Sequence, residues 1–154
     1  MKRTSIAFFI TFLFLIIMSA CKESEYMDWK IMNDNWYSKH KSDSGYITTP
    51  SGLCYKVIHQ GYNRRPNTSS YVIVNYKGSL IDGSVFDSTA TGSSSILLLS
   101  STIKGWIEGI QKMNGGGSYK FYIPSNLGYD TTTTNAAIPP HSVLRFDVTL
   151  VDSY

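Results

Sequence analysis

The stretch IKGWIEGIQKM, Ile103 to Met113, places apolar side chains at Ile103, Trp106, Ile107, Ile110 and Met113. Those three- and four-residue steps put one buried stripe on a short helix. Such a helix needs a sheet to cover, and the chain on either side supplies strands. Residues 71–77 carry Val72, Val74 and Tyr76 on one face, and residues 119–123 carry Tyr119, Phe121 and Ile123. Residues 143–151 set Leu144, Phe146, Val148 and Leu150 inward and Arg145, Asp147 and Thr149 outward, the period of two of a half-buried strand. Leu53 to Ile58 alternates too, and Asp82-Gly83 is a two-residue hairpin signal. Val85 to Ser88, a polar loop and the apolar run Ile96 to Leu99 lead into the helix. Asn114-Gly115-Gly116-Gly117 ends it where left-handed backbone angles cost little. The economical assembly is α+β: a curved antiparallel β-sheet wrapped around one short α-helix, with a pocket where the helix begins.

At the N-terminus, Lys2 and Arg3 precede an apolar run over residues 6–18, IAFFITFLFLIIM, followed by Ser19, Ala20 and Cys21. Its thirteen residues fall short of the roughly 20 that span a bilayer as a helix. Residues 1–20 therefore read as a secretory signal peptide. The small-small-Cys ending resembles a bacterial lipobox, with Met18 where Leu is usual. On that reading Cys21 is the first mature residue and carries a lipid that holds an exported lipoprotein to a membrane of the cell envelope. An ordinary signal peptide with an incidental cysteine is the alternative. Lys22 is not the Asp that retains lipoproteins in an inner membrane, which favours the outer membrane and a periplasmic or surface-facing position.

Loss of Lys2 and Arg3 lowers the formal charge from +3 to +1, too little for a nucleic-acid footprint. Cys54, left without a disulfide partner, lies on the opposite strand face from Leu53, Tyr55 and Val57 and reads as a bystander. Within residues 21–45, Tyr26, Trp29, Met32 and Trp36 recur at helical steps and Lys41 to Gly45 form a linker. This N-terminal helical extension docks on its own domain, spaces the domain from a membrane, or pairs with a second copy. Residues 46–154 form the folded domain, of ordinary single-domain size.

The usual catalytic constellations are missing. His40, His59 and His141 are scattered, without metal-ligand spacing. No Gly-x-Ser-x-Gly elbow joins a strand to a helix. Gly115 to Gly117 follow a helix instead of opening one, so they cradle no phosphate. Asp87 and Glu108 are carboxylates in interesting segments, with nothing to show that they face each other.

An ordered set of blocks carries more information. Val72-Ile-Val-Asn-Tyr76-Lys-Gly78, Asp82-Gly83-x-x-Phe86-Asp87-Ser88, Ile103-Lys-Gly-Trp106-Ile-Glu-Gly109, Tyr122-Ile-Pro124 with Tyr129, Ile138-Pro-Pro140, and Leu144-Arg-Phe146-Asp-Val-Thr-Leu150 resemble the FKBP-type peptidyl-prolyl cis-trans isomerases. The resemblance runs over residues 52–151, in the family's order. It implies an FKBP-like fold and an enzyme that turns Xaa-Pro bonds in proline-containing polypeptides, assisting exported proteins to fold. It implies one pocket in which Tyr76, Phe86, Asp87, Ile103, Trp106, Tyr129 and Phe146 do the catalytic work, with Leu97, Thr102 and Ile138 contacting substrate. Trp106 would floor the proline ring. The Ile103 N–H and the Tyr129 hydroxyl would bond the flanking carbonyls, and a partly buried Asp87 would hold tyrosines in place. No cofactor or metal is implied, and macrolides would occupy the same pocket.

Taken singly, Trp106 and Phe146 are ordinary core residues, Tyr76 and Tyr129 ordinary sheet and loop tyrosines, and Asp87 a turn former. Only the ordered set favours the pocket. The sequence departs from the family at Thr102, where Val is usual, at Leu97, where an aromatic is common, and at Asp130, where Gly follows the tyrosine. The loop after Asp87 is short and Ser-rich. These changes fall on the rim, and a weakly active or inactive peptide-binding chaperone is the alternative function.

Overall fold

The computed structural model describes residues 26–132 and 137–154, so the signal-peptide and Cys21 readings lie outside the described residues. Helix α1 runs through residues 26–40. It is followed by strands β1 (Tyr46–Thr48), β2 (Cys54–His59), β3 (Tyr71–Ser79), β4 (Val85–Ser88) and β5 (Ser95–Leu98), then helix α2 (Lys104–Ile110) and strands β6 (Ser118–Ile123) and β7 (Leu144–Ser153). The strands form one antiparallel sheet in the order β1-β2-β6-β7-β3-β4, with β5 also on β3. Strand β3 is long enough to pair with β7 on one side and with β5 and β4, end to end, on the other.

The inner face of this sheet is the alternating set. Val72, Val74, Tyr119, Phe121, Ile123, Leu144, Phe146, Val148 and Leu150 are buried together with Trp106, Ile110 and Met113 from the α2 region. The period of two breaks at the end of β7, where Val151 and Asp152 are both exposed and Ser153 is buried. There Ile73 pairs with Asp152 but Val74 with Leu150, so Val151 is the extra residue of a bulge.

Helix α2 is shorter than its apolar spacing predicts. Ile103 caps it in an extended conformation, and after Ile110 the chain continues only as turns in which Lys112 N–H bonds Gly109 O and Met113 N–H bonds Ile110 O. The glycines at 115–117 turn the chain into β6 and do not themselves end the helix. The β3–β4 hairpin likewise has three residues at its tip, since Leu80 N–H bonds Ser84 O at 2.9 Å. Gly83 sits there at φ 92°, the left-handed position of a three-residue hairpin.

What brings α2 down onto the sheet is the pair Gly105 and Gly109. A Cβ on Gly105 would lie 2.5 Å from Ile123 Cγ2, and one on Gly109 2.8 Å from the Phe121 ring. The helix therefore rests its backbone on β6, and Trp106 is carried to the level of the sheet's inner face.

Helix α1 packs against one end of the other face. Asn33, fully buried, accepts from Val143 N–H at 2.8 Å; Trp29 donates its indole N–H to Ser142 Oγ at 2.9 Å; the Tyr37 hydroxyl donates to Gly52 O. Trp36 meets Tyr122 edge-on at 4.9 Å and lies under the Arg145 guanidinium. The helix faces the sheet through Trp29, Asn33, Trp36 and Tyr37. Met32, expected on that face by spacing, is 56% exposed, because the buried slot belongs to Asn33. This cover also explains Cys54, which is as buried as Leu53 although the two point to opposite faces. Burial raises its thiol above the ordinary value and Asp43 raises it further, against a hydrogen bond with Thr48 that lowers it, so the thiol is unreactive.

Gly105→Ala separates two opposing effects. Alanine is the better helix former by about 1 kcal/mol, while the contact with a buried strand isoleucine costs about 1–3 kcal/mol as overpacking. The expected outcome in urea denaturation is net destabilisation, and a gain in stability would contradict the close packing.

Candidate active site

The pocket opens at the N-terminal end of α2, between that helix, β3, β4 and the segment after β6. Its cavity of about 350 Å³ is lined by Tyr76, Phe86, Asp87, Leu97, Ser101, Thr102, Ile103, Trp106, Tyr129 and Phe146. Each wall follows from local structure. Tyr76 and Phe146 face inward from β3 and β7, which pair antiparallel beside each other. Phe86 and Asp87 come from β4. Ile103 and Trp106 come from the cap and first turn of α2, and Leu97 from β5.

The rings are set edge to face. Trp106, 4% exposed, meets Tyr76 at 5.1 Å and 86° and Phe146 at 5.3 Å and 81°; Phe146 meets Phe86 at 5.5 Å and 86°. Aromatic pairs at such centroid distances favour this geometry, because a ring edge carries partial positive charge and its face partial negative. Gly78 makes the convergence feasible: a Cβ there would lie 2.6 Å from the Phe86 ring and 2.8 Å from that of Phe146. The bare backbone at this one strand position lets two phenyl groups share the space beside it.

Polar groups stand at the rim. The Tyr76 hydroxyl donates to Asp87 Oδ2 at 2.6 Å. Asp87 is exposed instead of partly buried and binds one tyrosine, not several. Burial, then the bond to Asp87 and its negative charge, push the Tyr76 phenol well above the ordinary tyrosine value; burial and the same carboxylate raise Tyr129. Both phenols are thus neutral hydroxyls at physiological pH. Thr102 gives its hydroxyl to Leu99 O at 2.7 Å, which leaves its methyl group as the part free to contribute to the cavity lining. Ile103 places its carbonyl under the Trp106 and Ile107 amides, and its own N–H opens the helix.

Of the ten pocket residues named from sequence, the fold brings nine together. Ile138 is not among the residues that line the cavity; at 3% exposure it packs in the same core cluster as Trp106 and Phe146. Ser101 lines the cavity and was not singled out. It sits on the 3-10 turn Leu99–Ser101, and a lone serine in the run Ser100-Ser101-Thr102 carries no signal of its own. Among the described residues no group of His, Cys, Asp and Glu side chains could hold a metal ion.

Comparison with known proteins agrees with this geometry. Residues 62–151 match the family model described as FKBP-type peptidyl-prolyl cis-trans isomerase. A probable FKBP-type peptidyl-prolyl cis-trans isomerase FkpA of Neisseria meningitidis serogroup B is 42% identical over 123 residues, covering 79% of this chain and 45% of the relative. The outer membrane protein MIP of Legionella longbeachae is 37% identical over 123 residues, covering 79% and 53%. The chain thus spans about half the length of these curated relatives. The crystal structure of FkpA from Escherichia coli superposes with a TM-score of 0.87 at 33% identity, over 99% of this chain and 73% of that one. A peptidyl-prolyl cis-trans isomerase structure from Pseudomonas syringae gives 0.75 at 25% identity, over 79% and 90%. A curved antiparallel sheet on a short helix, the ring cluster at the helix N-terminus and the family match over most of that sheet agree, and the chain belongs to the FKBP-type peptidyl-prolyl cis-trans isomerase family.

Proposed function

We propose that the protein catalyses cis-trans isomerisation of Xaa-Pro bonds in exported polypeptides. The observation that carries the reading is the ring cluster: Trp106 walled edge-on by Tyr76 and Phe146, with Phe86 beyond, in an open cavity. A pyrrolidine ring has no N–H to satisfy and suits such walls. The Ile103 N–H and Tyr129 hydroxyl are the donors for the carbonyls on either side of the proline. Asp87 orients Tyr76 and transfers no proton.

Isomerisation breaks no bond and loses only amide resonance, against a barrier of about 18–20 kcal/mol. The twisted amide has less charge separation than the planar one, so walls of low polarity favour it, and differential binding lowers the barrier. About 5 kcal/mol of such preference is nearly four decades in rate. The biological need is plain, since unassisted prolyl isomerisation takes tens to hundreds of seconds.

Wild type is expected to accelerate the cis-to-trans change of short Xaa-Pro peptides, and Phe86→Ala to lose about 10- to 100-fold in kcat/KM through a missing wall. Equal, negligible acceleration by both would discard catalysis. The altered rim, with Leu97 and Thr102 on its walls, favours a second reading: a peptide-binding chaperone without useful turnover. It is supported if the protein suppresses aggregation of a proline-free client and pocket variants leave that unchanged. Macrolides are proposed to compete with peptide for the cavity.

The raised phenols of Tyr76 and Tyr129 carry a pH consequence. Because folding favours their neutral form, their contribution is complete below pH 10, the ordinary tyrosine value, and is lost as pH rises through the raised ones. The isomerisation rate is expected to stay level from neutrality to about pH 10. A tyrosine-dependent decline near pH 8 in folded protein would contradict the pocket electrostatics.

The apolar leader and the Ser19-Ala20-Cys21 ending support export and lipidation at Cys21, hence membrane attachment in the cell envelope. The Legionella relative, named an outer membrane protein, supports the same location. Expressed in a bacterium with labelled fatty acid, wild type is expected to take up label and Cys21→Ala to take up none; label in both would remove the anchor from Cys21.

A further inference from the structure

The chain between β6 and β7 leaves and returns as two limbs that meet beside the pocket. The outgoing limb carries Tyr129. There Asp130 N–H bonds Ser125 O at 2.9 Å, and Asp130 O accepts the His141 N–H of the returning limb at 2.7 Å. Asp130 and His141 have φ of 52° and 63°, the left-handed region that costs a residue with a side chain about 1–3 kcal/mol and persists only where the surroundings over-determine it. Asp130 thus does without the glycine usual in the family at a position whose backbone angle explains that preference. The pocket tyrosine is joined to a strained two-residue clasp, and something must hold it shut.

That hold comes from α1. Immediately after His141, Ser142 accepts the Trp29 indole N–H and donates its own hydroxyl to Pro139 O at 2.6 Å. The next amide, Val143 N–H, ends on Asn33 Oδ1, and Asn33 Nδ2 donates back to Trp29 O at 2.8 Å. Asn33 is fully buried and Ser142 is 3% exposed. Both are polar groups whose hydrogen bonds, once removed, leave buried partners unpaired. Pro139 and Pro140 stiffen the same limb. Docking of a helix on a sheet would need only the apolar faces of Trp29 and Trp36. A buried amide aimed at the Val143 N–H, two residues past the clasp, is a more specific arrangement.

We propose that Asn33, with Trp29, is a positioning residue for Tyr129, so that the N-terminal extension sets how firmly the pocket holds its peptide. Asn33 acts through Val143, Ser142 and His141 on Asp130, the residue after Tyr129. The proposal rests on the isomerase reading for its kinetic consequence. Tyr129 would hold a carbonyl in planar and twisted peptide alike, so loosening it is uniform binding lost and appears in KM.

The test uses the mature chain with Asn33→Ala and, as the milder change, Ser142→Ala, assayed with Xaa-Pro peptides where both remain folded. Each is expected to raise KM about three- to tenfold, the range of one hydrogen bond, with kcat within about twofold. Combined with Tyr129→Phe, Asn33→Ala should add little further loss; combined with Phe86→Ala on β4, the two losses should multiply. A readout free of catalysis is amide hydrogen exchange. The Asp130 and His141 amides should exchange at least about tenfold faster in Asn33→Ala, with β3 and β7 amides unchanged. Unchanged exchange at those two amides, or losses that multiply with Tyr129→Phe, would overturn the proposal. Wild type without isomerase activity would instead overturn the function reading, and the exchange result would then decide alone whether Asn33 holds the clasp.

Discussion

The pocket depends on the contact between α2 and β6. Gly105 and Gly109 let the helix backbone lie against Ile123 and Phe121, and that depth puts Trp106 where β3 and β7 can present Tyr76 and Phe146 to its edges. Were the helix held off by the thickness of a methyl group, the indole would stand away from the rings that enclose it. Gly78 solves the same problem on the sheet side, where two phenyl rings need the room of one absent Cβ. Three positions without side chains thus decide the shape of a cavity built from the largest ones.

The sheet packs α2 on its inner face and α1 against one end of its outer face, and the two contacts have different chemistry. Inside, the contacts are apolar and aromatic, and the polar atoms are pushed to the rim. Outside, α1 meets the sheet end through a buried asparagine, the Trp29 indole and a tyrosine that donate or accept hydrogen bonds with backbone and serine atoms, and through the Trp36 ring against Tyr122 and Arg145. Hydrogen bonds of this kind fix register more tightly than apolar contact, which tolerates sliding. An extension joined to the sheet in this way belongs mechanically to the domain that bears the pocket, and it holds the returning limb beside the one that carries Tyr129 from a sequence distance that no local rule connects.

Much of the fold was legible in the chain. Strand β7 alternates so regularly that its buried face, Leu144 to Leu150, follows from the period of two alone; the bulge at Val151 does not, because it arises from pairing with β3. The helix was legible as a helix but not in length, since its last apolar residues are buried by turns as well as they would be by another helical turn. Met32 and Asn33 exchange their expected places for a related reason. Hydropathy ranks methionine as the buried residue, whereas the unpaired Val143 amide needed an acceptor, and a buried hydrogen-bond partner outweighs an exposed thioether.

The sequence by itself determined the element types, the inward set and, through six blocks in order, the family, because periodicity and local backbone preference are properties of neighbours along the chain. Tertiary structure alone decided that Ile138 is core and Ser101 is rim, that Asp87 is exposed with one tyrosine bonded to it, and that Asn33 is tied to the limb next to Tyr129. Each of those outcomes turns on which distant groups compete for one small volume or one hydrogen bond, and that competition exists only once the strands have paired and the helices have docked.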